Sequence, residues 1–114
     1  MEVKGETYRV VYNDTTSTVL FEGMLRLPGS AEYGPIGDLL NSVVGAAPEV
    51  MTLDLCSLRF LNSAGIDLLL RFALKMRKQA TTQVIILGAA NIPWQGRSLP
   101  HFERLVPGLE LTLE

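Results

Sequence analysis

The chain has 114 residues, 47% of them hydrophobic, and its ten basic and twelve acidic side chains leave a formal net charge of −2. That length predicts a single domain over residues 1–114 with enough apolar material for a core, and the slightly acidic balance disfavours nucleic acid as a partner. One cysteine, Cys56, and one histidine, His101, exclude an internal disulfide and leave too few ligands for a zinc site.

The opening "MEVKGETYRV" is mixed and charged and offers no apolar run for a signal peptide. No stretch approaches the roughly 20 apolar residues that span a bilayer. The expectation is a soluble, cytoplasmic protein without membrane insertion. "TYRVVY" and "TVLFEGMLRL", separated by the turn formers "NDTTS", predict a β-hairpin. "LPGSAEYGP" reads as a loop. Beyond it Ile36, Leu39, Leu40, Val43 and Val44 recur at helical spacing, with Pro35 suited to the first position and Gly45 to the end.

"EVMTLDL" predicts a short strand. From Ile66 to Lys78 helical spacing returns, with Ile66, Leu69, Leu70, Ala73 and Met76 as the core stripe. Asp67, Arg71, Lys75 and Lys78 gather on the opposite side, with Asp67 and Arg71 an i, i+4 pair. "QVIILGA" is a continuous apolar run, as expected of a strand covered on both faces. "SLPHFERLVPG" predicts a short last helix and "LELTLE" a terminal edge strand. Pro93, Gly96 and Pro100 imply a helix that is broken or begins late, with Trp94 a lid on the core or a partner contact.

Strands alternating with helices after a hairpin predict an α/β fold: a mixed, mainly parallel β-sheet flanked by helices. The unit from Val50 to Gly88 should be a right-handed parallel crossover, which puts "FLNSAGI" where a strand ends and a helix begins. Ligands and functional residues collect at that end of open α/β sheets. Asn62 and Ser63 suit a helix start as simple caps, and Gly65 permits close approach of a neighbour. Catalysis is not expected. "LNSAG" lacks the glycine that a nucleophile elbow has two places before its serine, no phosphate loop is present, and His101 lies in a different segment. Asp54 reads as a loop brace and Cys56 as core filler. No catalytic residue, metal or cofactor is assigned.

The run "VMTLDLCSLRFLNSAGIDLLLRFALKMRKQATTQVIILGA" resembles the STAS domain, the family of bacterial anti-sigma factor antagonists. Its pattern is a strand ending in Asp-Leu, a short apolar loop, Asp-Ser-Ser-Gly-Leu, a helix and another apolar strand. Here these are Asp54-Leu55, "CSLRFL", then Asn62-Ser63-Ala64-Gly65-Ile66. The hairpin with Gly23, the helix near Ile36 and the last helix follow in the same order. The resemblance implies a regulatory binding protein that switches partners through phosphorylation of Ser63. The implied partners are an anti-sigma factor that is also a serine kinase and, opposing it, a serine phosphatase. Asn62 in place of Asp, Ala64 in place of the second serine and the interrupted last helix are departures. Asn62 and Ala64 keep open a second reading, a constitutive STAS adaptor subunit of a larger complex such as a transport assembly. The expected partner-binding set is Asn62, Ser63, Ala64, Gly65, Leu68 and Phe72. The last two lie one and two turns beyond Ser63, either as an apolar patch beside it or packed under a neighbouring helix.

Overall fold

The two β-branched runs pair as anticipated: β2 (Tyr8–Asn13) and β3 (Thr18–Leu25) form an antiparallel hairpin in the computed structural model, which describes residues 1–79 and 81–114. A further strand, β1 (Glu2–Lys4), adds to the outer edge of β2. Its charged sequence hid it. Arg9 of β2 pairs with Glu2 of β1 and Glu22 of β3, so charged side chains link three adjacent strands.

After the hairpin the chain alternates helix and strand: α1 (Gly34–Gly45), β4 (Val50–Leu61), α2 (Ser63–Gln79), β5 (Gln83–Gly88), α3 (Pro93–Leu105) and β6 (Glu110–Leu113). The strands lie in one sheet in chain order, β1-β2-β3-β4-β5-β6. The pairings from β3 to β6 are all parallel. Each parallel pair is joined by one helix, and right-handed crossovers that advance steadily in one direction leave every helix on the same face.

Burial follows from that topology. Val19, Leu53, Ile86 and Leu111 are paired in one row across the sheet and point toward the helices. Ile36, Leu40 and Val43 of α1, Leu69 and Met76 of α2, and Leu99 and Phe102 of α3 meet them in one apolar cluster. The next row, Val11, Leu20, Asp54, Leu87 and Thr112, lies on the opposite face, which no helix covers among the described residues. Ile85 and Leu87 there are only half-buried. β5 is therefore covered on one face and not two.

Two other expectations change. The segment "CSLRFL" is not a loop, because β4 runs on to Leu61 through two register shifts against β3. Each shift inserts an extra residue on β4, so the inward positions after Leu55 are Leu58 and Leu61, three apart instead of two. The last helix begins at Pro93, earlier than expected, and runs unbroken through Pro100. Proline at the first turn costs no hydrogen bond, while Pro100 removes one inside the helix.

The start of α3 is instead fastened by side chains. β5 pairs with β4 only as far as Asp54, which leaves later β4 carbonyls on that side without a ladder partner. Gln95, wholly buried, donates to the Leu55 carbonyl at 2.6 Å and the Leu58 carbonyl at 3.0 Å, and accepts from the Ala89 amide at 2.7 Å. The Trp94 indole donates to the Leu58 carbonyl at 2.9 Å. Trp94 is buried and acts as a brace over the core, so of its two readings the inward one holds.

Candidate functional site

The strand β4 ends at Leu61 and α2 begins at Ser63, which makes Asn62 the only residue between them. Its position fixes its task. The first backbone N–H groups of a helix have no intrahelical acceptor, and an Asn side chain at the cap supplies one. Asn62 Oδ1 accepts from the Gly65 amide at 3.1 Å, while its backbone carbonyl accepts from Ile66 at 2.9 Å.

The same side chain reaches two other segments. Its Oδ1 also accepts from the Tyr33 hydroxyl at 2.6 Å, and its Nδ2 donates to the Leu27 carbonyl at 2.8 Å. Asn62 thus joins α2 to the loop after β3 and to the residue that precedes α1. Tyr33 is buried, and burial raises its hydroxyl pKa above the ordinary tyrosine value. The protonated donor is the form this contact needs. An amide is required at position 62 for a reason visible in the geometry. Its nitrogen faces a carbonyl, where an aspartate would present a second oxygen to Leu27.

Gly65 is buried, and the reason for a glycine is spatial. A Cβ there would lie 2.2 Å from Leu61 Cδ1 and 2.7 Å from the Tyr33 hydroxyl. Sequence reasoning foresaw close approach, yet the neighbours are two buried side chains. Ala64 is half-buried and packs against the core cluster, where a serine hydroxyl would lose water.

Ser63 differs from its neighbours. It is the first residue of α2, it is exposed, and among the described residues no hydrogen bond holds its hydroxyl. Asn62 performs the capping, so Ser63 does not. Among the described residues no base is hydrogen-bonded to it, the arrangement that activates a serine nucleophile. His101 lies exposed in α3.

Leu68 and Phe72 do not extend an exposed patch from Ser63. Phe72 is 6% exposed and Leu68 is half-buried, both packed into the core cluster. Together with Gly37 and Leu40 of α1 they line a groove between the two helices. Gly37 leaves room there, since a Cβ on it would come 3.5 Å from Leu68 Cδ1. Phe72 is therefore withdrawn from the surface set, because its ring fills the contact between helices. Arg71 pairs with Asp67 at 2.8 Å on the solvent side, and Lys75 bonds Asn41 of α1.

Asp54 and Cys56 sit inside β4. The Asp54 carboxylate accepts from the Cys56 amide at 3.0 Å and braces the first bulge, a role close to the one expected but within a strand. Burial, and then the carboxylate beside it, push the Cys56 thiol above its ordinary range. Both effects disfavour the thiolate, the reactive form. Tyr33 was missed by sequence reasoning. The available signal was a lone aromatic residue in a Gly/Pro-rich loop just ahead of a helix.

No family model matches the chain, and no curated protein matches it in sequence. Solved structures do match. A chain of the crystal structure of the diguanylate cyclase SiaD in complex with its activator SiaC, from Pseudomonas aeruginosa, aligns with a TM-score of 0.72 at 12% identity, covering 99% of this chain and 97% of that one. SiaC of Pseudomonas aeruginosa aligns at 0.69 and 12% identity, covering 100% and 98%. An anti-sigma factor antagonist from Mycobacterium paratuberculosis aligns at 0.60 and 15% identity, covering 97% and 81%. The fold is the STAS-like fold of these proteins, as the motif around Ser63 led one to expect.

Proposed function

We propose that this protein is a cytoplasmic regulatory binding module, not an enzyme, that changes protein partners through reversible phosphorylation of Ser63. The observation that carries the reading is the exposed, unbonded Ser63 hydroxyl at the first position of α2, beside a cap that does not depend on it. The folds it resembles include an anti-sigma factor antagonist and SiaC, an activator found in complex with a diguanylate cyclase. The partner of SiaC in that complex is itself a protein.

The physics selects how such a switch works. An anion at a helix N-terminus gains about 0.3–1 kcal/mol from the macrodipole, so a phosphate on Ser63 does not melt α2. Burying nearly two negative charges without partners in a protein contact costs several kcal/mol. The second term is larger. The phosphate acts by spoiling an interface that includes Ser63, while the fold stays intact. The partner of the unmodified form is a serine kinase of the anti-sigma type, a serine phosphatase restores that form, and the output is transcription.

The test combines candidate kinase, ATP and the native chain, read by intact mass, with Ser63→Ala as control. One added phosphate on the native chain and none on the variant is expected. Calorimetric titration of the kinase with Ser63→Asp should then show much weaker binding than the native chain, with circular dichroism unchanged. Equal affinity would place Ser63 outside the interface. A second reading, the constitutive adaptor subunit, would then lead. It is favoured by Asn62, whose amide serves a structural contact with the Leu27 carbonyl.

A further inference from the structure

The second bulge of β4 has an effect on the uncovered face of the sheet. The shift between Gly23 and Met24 of β3 is matched on β4 by the step from Leu58 to Phe60. It leaves Leu61 pointing into the core and turns Phe60, paired with Met24, outward. Phe60 is 36% exposed, on the face away from the helices. Arg26, just past β3, lies over the Phe60 ring at 4.8 Å from its centroid and donates to Met24 Sδ at 3.6 Å. Arg59, the inserted residue, is exposed beside them. Among the described residues neither Arg26 nor Arg59 belongs to an ion pair, although Arg9 and Arg71 do.

From this cluster, and resting on the reading of Ser63 as a phosphorylated switch, we infer that Phe60 and Arg26 anchor the partner, and that the partner's matching surface is acidic. Phe60 and Ser63 are three residues apart, so their Cα atoms lie within about 11 Å. A standard protein footprint of roughly 800 Å² a side takes in both. Aromatic and arginine side chains dominate binding hot spots, and the stacked pair is ordered in advance, which lowers the entropy lost on association. Among the described residues the two cations have no carboxylate partner, and an acidic partner protein supplies one. The net charge of −2 argues against nucleic acid as the source of the negative groups. The same complementarity explains why phosphate on Ser63 would release the partner: it sets a dianion against the partner's own carboxylates.

The experiment captures proteins from a lysate of the source organism on the full native chain and on Ser63→Asp. A protein held by the first and lost by the second is purified. It is then titrated calorimetrically with the native chain, Phe60→Ala, Arg26→Gln and Arg26→Lys, at about 50 and 300 mM salt, where screening differs. Phe60→Ala should weaken binding at least tenfold. Arg26→Gln should weaken it severalfold and flatten its salt dependence, which Arg26→Lys should restore. Circular dichroism confirms that each variant is folded. If that partner binds Phe60→Ala and Arg26→Gln within twofold of the native chain, this inference fails while the switch at Ser63 stands. If no captured protein distinguishes native from Ser63→Asp, the switch fails and this inference with it. If sedimentation shows that the native chain is a dimer and Phe60→Ala a monomer, a second copy covers the patch and the acidic partner is excluded.

Discussion

The starts of α2 and α3 solve one problem with one kind of side chain and reach opposite ends. Each follows a strand of the parallel sheet, and each is tied down by an amide side chain that serves three groups. Asn62 holds the Gly65 amide, the Tyr33 hydroxyl and the Leu27 carbonyl; Gln95 holds the Ala89 amide and the Leu55 and Leu58 carbonyls. Gln95 is wholly buried and Trp94 seals the spot. Asn62 is half-buried, and the residue after it is an exposed serine. One clamp closes a gap in the sheet, while the other fixes a helix end and leaves a hydroxyl in water. Of the two, only the second leaves a hydroxyl exposed at the surface.

Substitutions can break that comparison. The largest loss is expected for Gln95→Leu, which keeps volume but strands the Leu55 carbonyl and the Ala89 amide in the core. At about 1–3 kcal/mol for each stranded group, a cost near 3 kcal/mol should appear in urea melts. A loss below about 1 kcal/mol would mean water or movement replaces the clamp. Gly65→Ala comes next. Alanine improves helix propensity by about 1 kcal/mol, but the new Cβ must displace Leu61 and Tyr33, an overpacking cost of about 1–3 kcal/mol. A net loss of up to about 2 kcal/mol is expected, and a variant more stable than the native chain would show that the neighbours yield freely.

Asn62→Asp sharpens the contrast between amide and acid. It keeps two acceptor contacts and turns the third against the Leu27 carbonyl, for a loss of roughly 1–2 kcal/mol at neutral pH. Urea melts at neutral pH would check this, and a variant as stable as the native chain would show that the Leu27 carbonyl tolerates a second oxygen. The smallest effect belongs to Ser63→Ala. With no hydrogen bond at the hydroxyl, its thermal midpoint should stay within a degree or two of the native one, consistent with surface changes below about 0.5 kcal/mol.

Where local rules governed, the sequence was readable. The hairpin, the helix led by Pro35, the helix over "IDLLLRFALKM" and the parallel strand "QVIILGA" all stand where periodicity and turn residues put them. The strand β4 was cut short because two bulges replace a period of two with a period of three between Leu55 and Leu61. The apolar Ile85 and Leu87 suggested burial on both faces, and nothing local states on which side of a sheet the helices fall. At the site, Asn62, Ser63 and Gly65 were legible from capping preference and motif. Which of the two polar residues caps was not, since that depends on Tyr33, 29 positions away in the chain. Phe72 misled for a similar reason. Its place between core stripe and charged face is settled by α1, which covers it.

The strand order carries a consequence for how the molecule is made. Every strand pairs only with the strands before and after it in the chain, so no segment waits for a distant one before it can dock. Loop closure is short at each step, which favours rapid folding for a parallel sheet. As the polypeptide leaves the ribosome, the hairpin offers the edge of β3 to β4, and each later helix–strand pair extends the sheet by one. The strand β6 joins after the others, docking on the edge of β5 and on α3, so its fraying leaves the assembly before it, Ser63 included, in place.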